Sequence, residues 1–320
     1  MSSKVSAPVV AVLPAIARGL LEPHLPAGIE PRWFASPEEA KAAMADATIA
    51  WVDMQPTRLA AETIRAGGPK LRWVSTLYAG LDAFPLDWLR ERDVTVTNGG
   101  GINAVAVAEY AVMGMLVAAK RFDRVVRSAD AREWPWDAPG KVELDGTRAL
   151  IVGQGTIGRA IADRLAGFGV ATDGVTRSGR DGTLTPDQWR ARLGEYDWLI
   201  LAAPSTADTR AMIGADELAA MKPTAWLVNI ARGDMIDQDA LLTALDRGTI
   251  AGAFLDPTDP EPLPADHPLW TAPNAILSMH LSGRSQSTMF ARAGRLFLDN
   301  LAAWQAGKRM QNVVDLAAGY

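Results

Sequence analysis

Ala149-Leu-Ile-Val152, followed at once by Gly153-Gln-Gly155-Thr-Ile-Gly158, is the stretch that decides the fold. A short apolar run ends in glycines at G-x-G-x-x-G spacing, and Arg159–Phe168 reads on as a helix. Each glycine has a physical task. Gly153 permits the tight turn, Gly155 lets a pyrophosphate approach the backbone, and Gly158 lets the helix pack on the strand. The unpaired amides at the helix start, Thr156 and Ile157 among them, would hold phosphate with help from the helix dipole. Glycine turns are common, so the string alone is weak; the strand–turn–helix context is what gives it weight.

Outward from this point, short apolar runs alternate with helical patterns. Val9–Leu13, Thr48–Val52, Leu71–Thr76 and Val94–Thr97 read as strands, and Pro37–Asp46, Thr57–Ala66 and Pro85–Arg92 as helices between them. A second series runs through Arg148–Val152, Gly158–Phe168, Val170–Val175, Trp198–Ala202, Ala225–Asn229, Gly252–Leu255 and Ala275–Ser278. Such alternation predicts an α/β protein with two doubly wound parallel-sheet domains, breaking near Asn98–Asn103. The proline-rich run Asp256–Pro268 must be an irregular loop, because its prolines leave no room for a helix.

Composition excludes several classes. The 320 residues are 48% apolar and 22% charged, as in a globular protein able to bury a core. With no cysteine, disulfides, thiolate metal sites and cysteine nucleophiles are excluded, and three histidines make a metal site improbable on chemistry. A net charge of -5 gives no electrostatic reason to expect nucleic acid or an anionic membrane as partner. Met1–Pro8 lacks the apolar core of a signal peptide, and Ala104–Ala119 is too short and too interrupted, by Glu109 and Tyr110, to span a bilayer. A cytoplasmic protein is expected, with Ala104–Ala119 as a helix buried between domains or subunits.

The strand Val170–Val175 ends in Thr176-Arg177-Ser178-Gly179-Arg180. An NAD site places a carboxylate there for the ribose 2′-hydroxyl. Its absence removes repulsion of a 2′-phosphate, and Arg177, Arg180 and the hydroxyls of Thr176 and Ser178 could bind one. Asp173 lies three residues earlier in the strand and is expected to point inward, and Asp181 lies past the turn. NADP(H) is therefore predicted as the preferred cofactor, with NAD(H) still usable.

Three segments near strand ends carry chemistry. They are Val228-Asn-Ile-Ala-Arg232-Gly233, the proline loop with Glu261, and Ser278-Met-His280-Leu-Ser-Gly283. Open α/β sheets bind ligands at the carboxyl ends of their strands, where Arg232 and His280 are expected. His24 falls in a proline-flanked loop and His267 in a second loop, where solvation is expected. Taken singly, His280, Arg232 and Glu261 could each be ordinary; downstream of a dinucleotide fold they gain weight together.

Over nearly its whole length the sequence resembles the D-isomer-specific 2-hydroxyacid dehydrogenases. The resemblance is carried by Tyr78-Ala-Gly-Leu-Asp82, Asn98-Gly-Gly-Gly-Ile-Asn103 with Val107-Ala-Glu109, the glycine fingerprint and Asn229-Ile-Ala-Arg232-Gly233. Asp256, Glu261-Pro-Leu-Pro264, Pro268-Leu-Trp270 and His280 follow in order. It implies a flavodoxin-like substrate domain, 1–101 plus 285–320, and a Rossmann dinucleotide-binding domain, 102–284, with hinges near Asn98–Asn103 and Gly283 that let the domains close. His280 would be the acid–base histidine, Glu261 its partner and Arg232 the substrate-binding arginine. Ala79 and Gly80 would hold the substrate carboxylate through the backbone, and Asp256 would lie near the nicotinamide. Ala203, Pro204, Ile230 and Gly283 complete the expected cofactor contacts. Reduction of small 2-oxo acids (glyoxylate, hydroxypyruvate or larger) to D-2-hydroxy acids is implied, by a homodimer built around Ala104–Ala119.

The physical logic agrees, since hydride reduction leaves negative charge on the ketone oxygen, which a protonated His280 can quench. Glu261 would favour that protonated form, and the planar fork of Arg232 suits a carboxylate. The sequence also departs from the family. Pro257-Thr258 follows Asp256, Gly99-Gly100-Gly101 adds flexibility near the hinge, and Arg284 could contact substrate or cap the next helix. Tyr78, Phe84, Trp134, Trp136 and Trp270 could flank the pocket or be core and interface aromatics. A glutamate at 261 disfavours formate oxidation, and the length disfavours a regulatory tail domain. The alternative from another class is an NAD(P)H-binding regulator, corepressor-like, on the same fold.

Overall fold

The computed structural model describes residues 8–317 apart from Asp82. Most of the Met1–Pro8 segment and the Asp82 position of the Tyr78–Asp82 motif thus lie outside the described residues. The chain divides into two compact units, one of residues up to Ile102 together with Ser287 onward, the other Asn103–Gln286. The crossings fall slightly beyond the sequence boundaries of 101/102 and 284/285.

The first unit has five parallel strands: β1 (Val9–Pro14), β2 (Ile29–Phe34), β3 (Ile49–Trp51), β4 (Trp73–Ser75) and β5 (Thr95–Thr97), in the order β2-β1-β3-β4-β5. This is the flavodoxin-like order. Successive residues bury on opposite faces, as the period of two requires. Ala11, Leu13, Ile49, Trp51 and Trp73 pack one core, and Val12, Ala50, Val52 and Val74 the other. The helix Met289–Gln305 returns to the first core, where Phe297 stacks on Trp73 with centroids 5.2 Å apart. β2 was not expected. Pro31 and the charged Glu30 and Arg32 hide its pattern, and an edge position is what tolerates them.

The second unit has six parallel strands: β6 (Arg148–Val152), β7 (Ala171–Val175), β8 (Trp198–Leu201), β9 (Trp226–Asn229), β10 (Gly252–Leu255) and β11 (Ala275–Leu277), in the order β11-β10-β9-β8-β6-β7. Leu184 bridges Val175 in parallel, so the strand usually lying beyond β7 in a Rossmann sheet is reduced here to one residue. The order reverses between β6 and β8, which makes their carboxyl ends the ligand-binding edge. Leu150, Val152, Leu199 and Leu201 face one core; Ala149, Ile151, Trp198 and Ile200 face the other. The helix Ala104–Lys120 covers the second face, and Gly114 lets it lie directly on the Phe254 ring. Among the described residues no helix is long and apolar enough to cross a membrane.

Candidate active site

The glycine fingerprint sits at the reversal of strand order. Gly153 has φ +106, and a Cβ there would lie 2.6 Å from the Ala202 carbonyl carbon and the Ala203 nitrogen. Any larger residue would push apart the ends of β6 and β8. A Cβ on Gly158 would lie 1.9 Å from the Gly153 oxygen, whereas one on Gly155 would meet nothing within 4 Å. The open space at Gly155 fits an approaching pyrophosphate. Gly155 caps the helix Thr156–Ala166, and among the described residues the Thr156 and Ile157 amides have no protein acceptor. These features fit a dinucleotide. Ala203, Pro204 and the buried Ile230 follow β8 and β9 on the same edge.

The Gly153 amide donates to the Val175 carbonyl at 3.0 Å, which ties the end of β7 to the fingerprint. Thr176 comes next, its hydroxyl 2.7 Å from that of Thr183. Arg177, Ser178 and Arg180 are exposed on the turn that follows. Asp173 points elsewhere, to Arg148 at 2.9 Å and the Tyr196 hydroxyl at 2.7 Å.

The acid–base geometry is built from three strand ends. Asn229, fully buried at the end of β9, accepts from the Ala231 amide at 3.0 Å and donates to the Arg232 carbonyl at 2.7 Å. These bonds fix the turn that presents Arg232. A Cβ on Gly233 would lie 2.1 Å from the Thr258 carbonyl carbon, so the Arg232 turn and the Glu261 loop are packed backbone to backbone. The Thr258 amide donates to Glu261 Oε1 at 3.0 Å. The unusual Pro257-Thr258 pair thus supplies a direct clamp on the carboxylate. The loop carries cis peptides at Asp259–Pro260 and Glu261–Pro262.

His280 Nδ1 lies 2.8 and 3.1 Å from the two Glu261 oxygens. Nδ1 must carry a proton to bond a carboxylate, which leaves Nε2 to act; among the described residues it has no protein partner. Burial alone would raise the Glu261 carboxyl. The hydrogen bond and charge of His280, the Thr258 amide and the charge of Arg232 outweigh it and hold the group below the usual carboxylate range.

Met279 and His280 both have left-handed backbones, φ +51 and +54, a conformation that costs a non-glycine residue on the order of 1–3 kcal/mol. Asp256 holds them there. Its carbonyl accepts from the His280 amide at 2.7 Å, and its carboxylate accepts from the Ser278 hydroxyl at 2.8 Å and the amides of Leu281 and Ser282. The Asp256 carboxylate is therefore committed to the histidine turn. Asn229, Thr258 and Ser278 stand within the sequence segments quoted above, but the sequence alone gives them no role. For Asn229 and Ser278 the signal is faint, a polar residue closing an apolar strand run.

Other expectations are refined. His267 lies in a loop as expected and is half-buried there; its Nδ1 accepts from the Leu269 amide at 3.2 Å and caps the short Pro268–Trp270 turn, a role not read from the sequence. Arg284 is exposed in the Ser282–Arg284 turn beside Gly283 and does not cap the next helix, whose N-cap is Thr288. Phe84 is buried in the core of the first unit, while Trp134 and Trp136 are 82% and 96% exposed.

In the first unit, Ala79 and Gly80 lie in the loop after β4. Among the described residues their amides have no protein acceptor. Two unspent donors on consecutive residues can hold an anion.

Residues 112–282 match the family model for the NAD-binding domain of D-isomer-specific 2-hydroxyacid dehydrogenases. Glyoxylate/hydroxypyruvate reductase B of Pectobacterium atrosepticum is 35% identical over 257 residues, 77% of this chain and 80% of the relative. Among solved structures, a D-isomer-specific 2-hydroxyacid dehydrogenase family protein from Aeromonas salmonicida superposes with a TM-score of 0.86 at 28% identity, covering 97% of this chain and all of that one. An NADPH-dependent glyoxylate/hydroxypyruvate reductase from Sinorhizobium meliloti, crystallised with citrate, superposes with a TM-score of 0.77 at 29% identity, covering 97% and 98%.

Proposed function

Because the chain belongs to the D-isomer-specific 2-hydroxyacid dehydrogenase family, we propose that it reduces small 2-oxo acids to D-2-hydroxy acids with NADPH, glyoxylate and hydroxypyruvate being the first substrates to try. The observation that carries this reading is the His280–Glu261 pair, with Nε2 unspent and the Arg232 turn packed on the same loop.

The bound nicotinamide would supply the hydride. The protein's own residues do the rest. Arg232 binds the substrate through its planar fork, while the amides of Ala79 and Gly80 take the carboxylate. The imidazolium of His280 gives its Nε2 proton to the carbonyl oxygen as negative charge develops there. Glu261, anionic on Nδ1, keeps the ring oriented and favours its charged form. In the reverse direction neutral Nε2 accepts the hydroxyl proton. Asp256 is assigned to positioning His280, beside the nicotinamide. Arg177 and Arg180, with the hydroxyls of Thr176 and Ser178, are assigned to a 2′-phosphate.

Consumption of NADPH on addition of glyoxylate or hydroxypyruvate, with one 2-hydroxy acid formed per NADPH and the D isomer formed from hydroxypyruvate, tests the reading. Tight NADPH binding with no turnover across a panel of 2-oxo acids would favour a nucleotide-binding regulator instead.

Assembly is a homodimer in this account. Val105, Met113, Phe122, Val126, Trp134 and Trp136 are exposed apolar side chains within one stretch of chain, more than a monomer surface favours. Sedimentation at micromolar concentration should show twice the chain mass of 34.2 kDa. A lone monomer would contradict it.

A further inference from the structure

Asp53 follows β3 at its carboxyl end, on the strand beside β1, where the sheet order of the first unit reverses. That edge of an open α/β sheet is where ligands bind. Its carboxylate has three donors. Oδ2 accepts from the Leu77 amide at 2.6 Å and from Trp51 Nε1 at 2.7 Å, and Oδ1 accepts from the Thr76 hydroxyl.

Two of those donors sit immediately before Tyr78-Ala79-Gly80. The Thr76 hydroxyl, having given its proton to Asp53, accepts from the Tyr78 amide at 3.1 Å. The bonds thus run in series from the carboxylate into the loop. On its other side, Asn98 Nδ2 donates to the Ala79 carbonyl and the Gly99 amide to the Tyr78 carbonyl, both at 2.9 Å. Trp51 packs on Phe297 with centroids 5.5 Å apart, so its indole is a fixed reference in the core. The Tyr78 amide and the carbonyls of Tyr78 and Ala79 are thus bonded, while among the described residues the Ala79 and Gly80 amides have no protein acceptor.

The carboxylate is met by neutral donors alone among its described contacts. Burial pushes its carboxyl up to about 6, against the pull of the Leu77 amide, the Thr76 hydroxyl and the Trp51 indole. Keeping an anion there is costly for a group with only a packing role. Its return is that one side chain accepts from three donors that converge on one loop.

We propose that Asp53 is a positioning residue, whose carboxylate fixes Thr76–Tyr78 so that the Ala79 and Gly80 amides are aimed at the substrate carboxylate. This rests on the role assigned to those amides above. A merely structural role would lower stability without singling out one substrate.

The test is steady-state kinetics of the full chain with glyoxylate and NADPH, with thermal unfolding as a check on folding. Asp53→Ala should raise the glyoxylate KM about tenfold, equivalent to ~1.4 kcal/mol of lost substrate binding, and leave the NADPH KM within about twofold. Asp53→Asn keeps an acceptor for the Leu77 amide and a donor that the Thr76 hydroxyl can accept, and should recover most of the loss. If Asp53→Ala does not fold, Thr76→Val should raise the same KM by about threefold or more, because it breaks the link from the Asp53 carboxylate to the Tyr78 amide while the Leu77 and Trp51 bonds to Asp53 remain. Folded variants with unchanged glyoxylate KM, or with both KM values rising together, overturn the proposal. Gly80→Pro separates the two readings, because it removes one of the amides directly. If it leaves the glyoxylate KM unchanged, the loop assignment fails, and this proposal with it. If it raises that KM while the Asp53 and Thr76 variants do not, only the Asp53 proposal fails.

Discussion

The two sheets present their carboxyl ends in different chemical terms. In the unit of Asn103–Gln286 the groups offered are side chains: Arg232, Glu261 and His280, with an arginine-bearing turn after β7. In the other unit they are backbone amides, at Ala79 and Gly80, and the side chains nearby are spent on holding them. The difference follows from the tasks. Moving a proton needs a group that ionises, which only side chains supply, and for a phosphate that unit adds the amides at the start of the helix Thr156–Ala166 to its arginines. Fixing the orientation of a carboxylate needs only aimed dipoles, and a clamped loop supplies those without adding charge.

Substitutions should therefore be severe and role-specific in the second unit, and graded in the first. The largest effect is expected at His280. His280→Ala should lower turnover by roughly 10²–10⁴-fold, the usual range for a lost general acid, and leave NADPH binding intact. A reduction rate that stays unchanged would remove the histidine from the mechanism.

Next comes the turn after β7. Two charge-assisted contacts of about 1.5–3 kcal/mol each imply a preference for NADPH over NADH of roughly a hundredfold or more. Arg177→Ala with Arg180→Ala and Thr176→Asp should reverse the preference, through the cofactor KM. Equal kcat/KM for the two cofactors in the wild type would mark the arginines as a solvated turn.

Arg232→Lys keeps the charge and loses the fork. The 2-oxo acid KM should rise and turnover fall, together by about tenfold, with NADPH binding nearly intact. A collapse of cofactor affinity instead would show that Arg232 has another task. The smallest effect belongs to the first unit. Asn98→Ala removes one neutral hydrogen bond behind Ala79, and should raise the 2-oxo acid KM by only about two- to fivefold. A loss as large as that at His280 would erase the contrast between the units.

The same contrast governs how much could be read from the sequence. The glycine fingerprint and the strand runs Arg148–Val152 and Gly252–Leu255 are legible because both faces of each central strand are buried, so the apolar signal is uninterrupted. Strand β2 is not legible, because an edge strand is free to carry Pro31 and charges. Among the ionisable groups proposed for catalysis, His280 stands out as a rare residue type after a strand, and Arg232 and Glu261 through the motifs around them. Asp53, Asn229 and Ser278 do not. Asp53 meets the Leu77 amide and Ser278 meets the Asp256 carboxylate only because the fold brings them together, and no spacing along the chain encodes those meetings. Asn229 bonds the near Ala231 and Arg232 backbone, a turn that polar residues commonly close. At His267 a loop-like sequence conceals a cap.

The assignment of His280 and Glu261 as a proton-donating pair is tested most directly by the pH dependence of kcat/KM for 2-oxo acid reduction, measured side by side in the wild type and Glu261→Gln. Reduction uses the imidazolium, so the wild-type value should fall as pH rises. Glu261 is held below the usual carboxylate range, so it stays anionic through that fall. Removing its charge takes an anion from beside the imidazolium, and the falling limb of Glu261→Gln should move to lower pH. Superimposable profiles, or reduction that speeds up as pH rises, would contradict the account.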